Sequence, residues 1–399
     1  MGSKTKKTLK WMTVALLTPV LLFLLLTILI YLPPVQNWLV GQVTSYASEK
    51  TGMQISVDHV NLEFPLDLGV DGFRMIQGQD TIADVEHMTV DVELLPLFRK
   101  RVIIDNLEIT NTKVNTSDLI ASARIKGQLE RLFLTSRGID LDKQIVNLNG
   151  AMIDGAKVDI ALVDTVIPDT TTEKTLWKIY ADSLVLNQSQ VALHMPGDTM
   201  SIRANLGRAS AYEGVVDLEK ELYTVSRFVV RDGTLAYDQN YEPSIEGFDY
   251  NHLDLTGVQI DIDSISYQEP RLNLNVRQVA MRDKSGLEIT ELSGPFSMDS
   301  NSINLPHAKL RTLDSDIEAE FYWSPELGDD RGMNNGNNSA SSDPQPPNLG
   351  GLGNVYLRLN AQLGKQDLLR FMGGMPQQMQ QQWPNHPLSI KGSINGNME

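Results

Sequence analysis

The sequence predicts a mainly β protein: an N-terminal transmembrane helix and a short amphipathic helix, then an elongated, curled antiparallel β-sheet shaped as a groove. Three observations predict it. The run Trp11–Leu32 carries no charge. From Gln54 onward, apolar and polar residues alternate with a period of two. Long helical patterns to interleave with these strands are missing, which argues against βαβ units.

The 22 residues of WMTVALLTPVLLFLLLTILIYL (Trp11–Leu32) make a helix of ~33 Å at ~1.5 Å per residue, matching a bilayer's hydrocarbon core. Lys4, Lys6, Lys7 and Lys10 precede it, and the next charges are Glu49 and Lys50. This lysine bias places the N-terminus in the cytoplasm and the rest beyond the membrane. Tyr31-Leu32-Pro33-Pro34 offers no small-residue cleavage site, so the run reads as an uncleaved signal anchor rather than a cleaved peptide. Residues 1–32 are therefore tail and anchor.

Pro33-Pro34 breaks the run, and helical spacing resumes through Val35, Trp38, Leu39, Val43, Tyr46 and Ala47, with Gly52 as a stop. One apolar face of this helix, 33–52, carries Trp38 and Tyr46. With Trp11, these are residue types that suit a membrane interface. The alternative is that this face plugs the end of the first β region.

Strands fill 53–327 and resume over 354–399. Met88, Val90 and Val92 alternate with Thr89 and Asp91, and Val258, Ile260 and Ile262 with Gln259 and Asp261. Leu272, Leu274 and Val276 alternate with Asn273 and Asn275, and Val355, Leu357 and Leu359 with Tyr356 and Arg358. Each such strand has one apolar and one wet face. A loose repeat of an apolar pair, a polar turn and an apolar return recurs in LEITNTKV (107–114), LVLNQSQV (184–191), FVVRDGTL (228–235), LDLTGVQI (253–260) and LRTLDSDI (310–317). Its Asn, Asp, Gly, Ser and Thr suit tight reversals. The uneven spacing suits a sheet that grows strand by strand, although any β protein yields such echoes. The stretch Thr116–Arg137 reads either as a capped helix or as a strand.

Residues 328–353, rich in Gly, Asn, Ser and Pro, read as a disordered insertion. Asp367–Met372 is a short helix candidate, and the chain ends on a strand-like segment from Leu388 with no following partner, as in the front portion of a longer protein.

Composition bounds the chemistry. Against 34 Lys+Arg stand 50 Asp+Glu, a net charge of −16 over 399 residues. That balance disfavours nucleic acid, whose phosphates need clustered cations. Cysteine is absent, which excludes disulfides and thiolate chemistry. The six histidines (59, 87, 194, 252, 307 and 386) lack H-x-x-x-H or H-E-x-x-H spacing, so no metal site is expected. No nucleophile elbow or phosphate-binding glycine loop occurs. Asp261 and Asp263 share a wet strand face, where charge is ordinary. Neither a catalytic set nor a cofactor is expected.

The ordered set of YLPPVQNWLVGQVTSYASEKTGMQISVDHVNLEFP (31–65), the Asp71-Gly72 turn, the Leu95-Pro96-Leu97 corner and the Ile104–Leu107 strand resembles the N-terminus of AsmA-like proteins. The resemblance is greatest to the TamB (translocation and assembly module) branch of Bacteroidota-type bacteria. It covers about residues 1–115 closely and the remainder loosely. The resemblance implies a β-taco groove held to the inner membrane by its first helix, with the bulk of the chain periplasmic. It also implies a role in phospholipid movement between membranes or in outer-membrane protein assembly. Contact with an Omp85-type outer-membrane barrel would lie in a C-terminal domain that this sequence lacks.

Physical chemistry points the same way. A sheet that curls without closing leaves an apolar trough for acyl chains, each buried CH₂ contributing ~0.8 kcal/mol. Roughly 20 strands at ~4.8 Å would make it ~100 Å long. Its lining is expected from Met88, Val90, Val92, Val258, Ile260, Ile262, Leu272, Leu274, Val276, Val355, Leu357 and Leu359. The expected function is a conduit for phospholipid from the inner membrane. The alternatives are a scaffold offering sheet edges to outer-membrane strands, and an anchored hydrolase, for which a nucleophile–base pair is lacking. If Trp11–Leu32 is an anchor, N-terminal sequencing of the membrane-bound protein will return a start ahead of Trp11. A start beyond Leu32 rules the anchor out.

Overall fold

The computed structural model describes residues 32–63, 67–93, 101–116, 123–140, 142–163, 176–325, 353–373, 377–382 and 384–398. The anchor run up to residue 31, the Phe64-Pro65 strand end, the Leu95-Pro96-Leu97 corner and the insertion up to residue 352 lie outside them.

The alternating segments form strands β1 (Gln54–Ser56), β2 (His59–Glu63), β3 (Asp67–Gln77), β4 (Asp80–Val92), β5 (Arg101–Val102), β6 (Ile104–Asn115) and β7 (Ala123–Asp140). Next come β8 (Ile145–Asp154), β9 (Lys157–Leu162), β10 (Lys178–His194), β11 (Met200–Asp217), β12 (Leu222–Gln239) and β13 (His252–Gln268). The last are β14 (Arg271–Asp283), β15 (Glu288–Asp299), β16 (Ser302–Thr312), β17 (Asp316–Ser324), β18 (Gly353–Leu363) and β19 (Leu388–Met398). All 19 belong to one long curled sheet. Helices are few: α1 (Pro33–Thr51), α2 (Lys365–Phe371) and α3 (Gln377–Gln382). The ambiguous stretch before Arg137 is strand from Ala123 onward.

β1 and β2 both pair with β3, β5 and β6 both pair with β7, and β8 and β9 both lie between β7 and β10. Each couple is one strand broken in two, so the 19 segments make sixteen rungs. At ~4.8 Å per step the sheet is ~70 Å long, shorter than the ~100 Å expected.

The sheet is antiparallel except at one joint, which corrects the all-antiparallel expectation. β10 runs parallel to β8 and β9, with Lys178 beside Ile145 and His194 beside Ala161. A hairpin can only reverse the chain; β10 instead starts beside the start of β8 and runs in the same direction, so the connection from β9 to β10 is a crossover.

A line of left-handed residues crosses the strands. Gly72, Asn111, Gly155, Gln188 and Asp232 have φ of 65°, 49°, 63°, 47° and 54°. Their neighbours complete the line: Asn111 Nδ2 donates to Glu86 Oε2 at 2.7 Å, and a Cβ at Gly207 would sit 2.8 Å from the Asp232 carbonyl oxygen. Each kink adds one residue to its strand, and a one-residue slip exchanges the two faces. In β10, β11 and β12 the extra residues face one another and the register is unbroken, as from Lys178–Asp217 to His194–Ser201; elsewhere, as between β13 and β14, the register shifts.

Four of the five repeat copies straddle such kinks, at Asn111, Gln188, Asp232 and Gly257, inside continuous strands. They do not reverse the chain. Only LRTLDSDI forms a hairpin, between β16 and β17. A single left-handed residue bends a strand, whereas reversal needs consecutive turn residues.

Helix α1 lies along the first edge of the sheet. Ile55 N–H donates to Ser48 Oγ at 2.9 Å, and Gln36 Nε2 donates to the Leu62 carbonyl at 3.1 Å. These bonds satisfy edge groups that otherwise invite pairing with another chain. Gln36 is buried, while Trp38 and Tyr46 are 62% and 64% exposed. The face expected to be apolar therefore splits: the side toward the sheet includes polar Gln36 and Ser48, and the two aromatics point away from it.

Helix α2 packs against the segment between β12 and β13. Phe248 and Phe371 rings lie 5.1 Å apart, and Phe248 N–H donates to the Arg370 carbonyl at 2.8 Å. Asp367 is buried yet accepts from Ser315 Oγ at 2.7 Å, Arg370 Nη1 at 3.1 Å and Thr312 Oγ1. Its charge is thus satisfied across the β16–β17 turn.

Gly155→Ala forces an L side chain into the left-handed region and toward the Glu130 carboxyl. It should cost ~1–2 kcal/mol in chemical denaturation. Asn111→Gly should cost only a few tenths. Equal costs would show that the kink line does not shape the sheet.

Candidate functional site

The registers assemble one row of side chains across all the rungs. Val60 faces Val70, then Met88, Ile109, Leu132 and Ile153. Across the parallel joint follow Leu186, Ala209, Val230, Ile260 and Val279. Leu292, Leu310, Ile317, Ala361 and Ile390 complete it. Every member is apolar. A second row runs from Leu62 through Leu68, Val90, Leu107 and Leu134 to Leu184, Phe228, Ile262 and Val276, with Ala151 and Ala211 between.

Little covers these rows. The substantial contacts of each strand are with its hydrogen-bonded neighbours, apart from α1 on β1 and β2. Only twelve hydrophobic side chains among the described residues are buried, among them Val70, Val230, Val258 and Ala361. A two-layer core buries one face of every strand. Here Ile260, Ile262, Leu272, Leu274, Val276, Leu357 and Leu359 are half-buried, as in a single layer.

The opposite face is a lattice of ion pairs. Arg74 meets Asp58 at 3.0 Å, Arg131 meets Glu108 at 2.8 Å, Arg277 meets Asp263 at 3.1 Å and Arg358 meets Glu320 at 3.3 Å. Arg227 grips Asp261 with two bonds, Nε to Oδ1 at 3.0 Å and Nη2 to Oδ2 at 2.7 Å. The Arg227 guanidinium holds the Asp261 carboxyl below its ordinary range against the opposing effect of burial, and Asp261 holds Arg227 up. Among the described residues no group of three or more His, Cys, Asp or Glu is placed to hold a metal ion.

The structure places the sequence-selected residues along the sheet. Met88 and Ile260 belong to the first row, and Val90, Ile262 and Val276 to the second. Leu272 continues from Tyr267 to Met298, and Leu274 faces Phe296. Val355, Leu357 and Leu359 face Trp323, Phe321 and Ala319. Val92 pairs with Ile104 through the backbone. Trp11 lies outside the described residues, and Trp38 and Tyr46 are on α1, away from the rows. Ile153, Leu186 and Val230, which sequence reading missed, each stand two residues from a kink (Gly155, Gln188 and Asp232) that resets the period, and Leu132, also missed, pairs with Ile153. That reset was their only signal.

Compared with protein-family models and with curated proteins, the chain matches none.

Several carboxylates besides Asp261 are held low. Burial would raise Asp249, but the Ile245 and Asn251 N–H groups outweigh it. A carboxyl with a lowered folded pKa stabilises the fold above its unfolded value, here near 3.8, and loses that contribution as pH falls through the folded value. Unfolding free energy should therefore decline below about pH 4, and Asp261→Asn should flatten part of that decline. A variant curve parallel to wild type throughout the acid range would show that the Arg227 pair contributes nothing.

Proposed function

We propose that this protein is a non-enzymatic conduit that carries lipid acyl chains along the apolar face of its sheet. One observation carries the reading: a row of aliphatic side chains crosses every rung with no second layer over it among the described residues. Exposed apolar surface of this extent marks an interaction site. Acyl chains suit it, because they need burial and offer no polar groups to match. Aliphatic walls without polar hooks favour sliding over selective capture.

The resemblance to the TamB branch of the AsmA-like proteins supports an envelope setting. On this reading the chain is anchored in an inner membrane by Trp11–Leu32, extends into the periplasm and passes phospholipid toward an outer membrane. The alternative reading is a scaffold that offers sheet edges to outer-membrane strands by strand addition.

Ile260→Asp and Leu274→Asp test the conduit. If acyl chains occupy this face, co-purifying lipid measured by mass spectrometry falls several-fold. The melting temperature should shift by less than about 4 °C. Asn275→Asp, on the ion-paired face, should change neither. A collapsed melting transition in the first two would mean a packed core, since an uncompensated buried charge is very costly. Unchanged lipid with normal melting would mean that the face meets water.

A further inference from the structure

On the ion-paired face, three lysines without carboxylate partners stand close together. Strands β6, β7, β9, β10, β11, β12 and β13 line a cavity of about 650 Å³ there. Two cross-strand rows wall one side: Lys113–Gln128–Lys157, and Asn115–Lys126–Asp159. Arg203 lies farther along the second row, between Ala192 and Ala236, whose short side chains leave the space open.

This cavity is positively charged. It is lined by Lys113, Lys126, Lys157 and Arg203 against Asp159 and Asp254, an excess of two positive charges in a chain of net −16. Arg203 already meets Asp238 at 3.0 Å, and Asp159 lies 3.7 Å from His194. Among the described residues, Lys113, Lys126 and Lys157 have no carboxylate within ion-pair distance. Two inter-strand steps separate Lys113 from Lys157, ~10 Å. Flexible four-carbon stems can bring all three ammonium groups onto one small anion. Gln128 and Gln190 add neutral donors along the wall.

We propose that this cavity binds a phosphate-bearing anion. A compact dianion would relieve the repulsion among the three ammonium groups. Lysine ammonium groups hold phosphate as point charges, and neutral amide donors complete its hydrogen bonds. The proposal does not rest on the conduit reading, because the cavity and the aliphatic rows lie on opposite faces.

The test uses the full chain at low salt, titrated calorimetrically with inorganic pyrophosphate. In parallel, it is floated with phosphatidylcholine vesicles with and without phosphatidic acid. Saturable binding that K113Q/K126Q/K157Q weakens at least tenfold, with an unchanged melting temperature, is expected. Lys284, Lys309 and Lys391, all changed to Gln, remove the same charge elsewhere and should leave binding intact. K157Q alone, expected to weaken binding about threefold, carries the test if the triple variant misfolds. Binding to free pyrophosphate alone assigns the site to a soluble phosphate ester; binding to phosphatidic acid vesicles alone assigns it to a lipid headgroup. Absence of both, or equal loss in the control variant, overturns the site.

Discussion

A strand has two faces, and the period of two allows no correction once a residue is gained or lost. Everything in this molecule depends on that constraint. The chain adds a residue in strand after strand and still keeps aliphatic side chains on one side from Val60 to Ile390. Around β10 to β12 it does so by making the additions face one another. Gly72, Asn111, Gly155, Gln188 and Asp232 take up the extra length in the left-handed region, where single residues are tolerated. Had one strand lacked its kink, its aliphatic residues beyond that point would have turned among the arginines and carboxylates.

The same economy governs the ends. A sheet that does not close has two edges, and α1 covers the first with hydrogen bonds to backbone groups of β1 and β2. Near the last strands, α2 ties turns together through a buried carboxylate, Asp367, supplied with donors from Thr312, Ser315 and Arg370. Polar burial is thus concentrated where strands end. The middle of the sheet relies on ladder hydrogen bonds and on pairing of like side chains across rungs.

Alternation made β13, β14 and β18 legible in the sequence, because long stretches of each keep an unbroken period. It failed where a kink intervened: Leu186 and Ser189 share a face although three positions separate them. The repeats were real, but Asn, Asp and Gly within them signal left-handed backbone, and that conformation serves bends as well as reversals. The parallel joint was hidden because nothing local to β9 or β10 records which edge the chain re-enters from. Trp38 and Tyr46 do not plug the first β region, being exposed on α1; an aromatic on a helix reports its polarity type, not which side will meet a neighbour. Lys113, Lys126 and Lys157 were invisible as a group, since only the registers of β6, β7 and β9 bring them together.

Each strand touches, in substance, only the two beside it. Such a structure has no centre, and its cohesion is a chain of nearest-neighbour couplings rather than a shared core. Loss of order entering at one margin would travel inward rung by rung, as a zipper opens, while strands far from the front kept all their partners. The same arithmetic bears on ancestry: a hairpin duplicated with its kinks in register lengthens the sheet without repacking anything already there. Length is then a quantity that heredity can adjust in units of two strands.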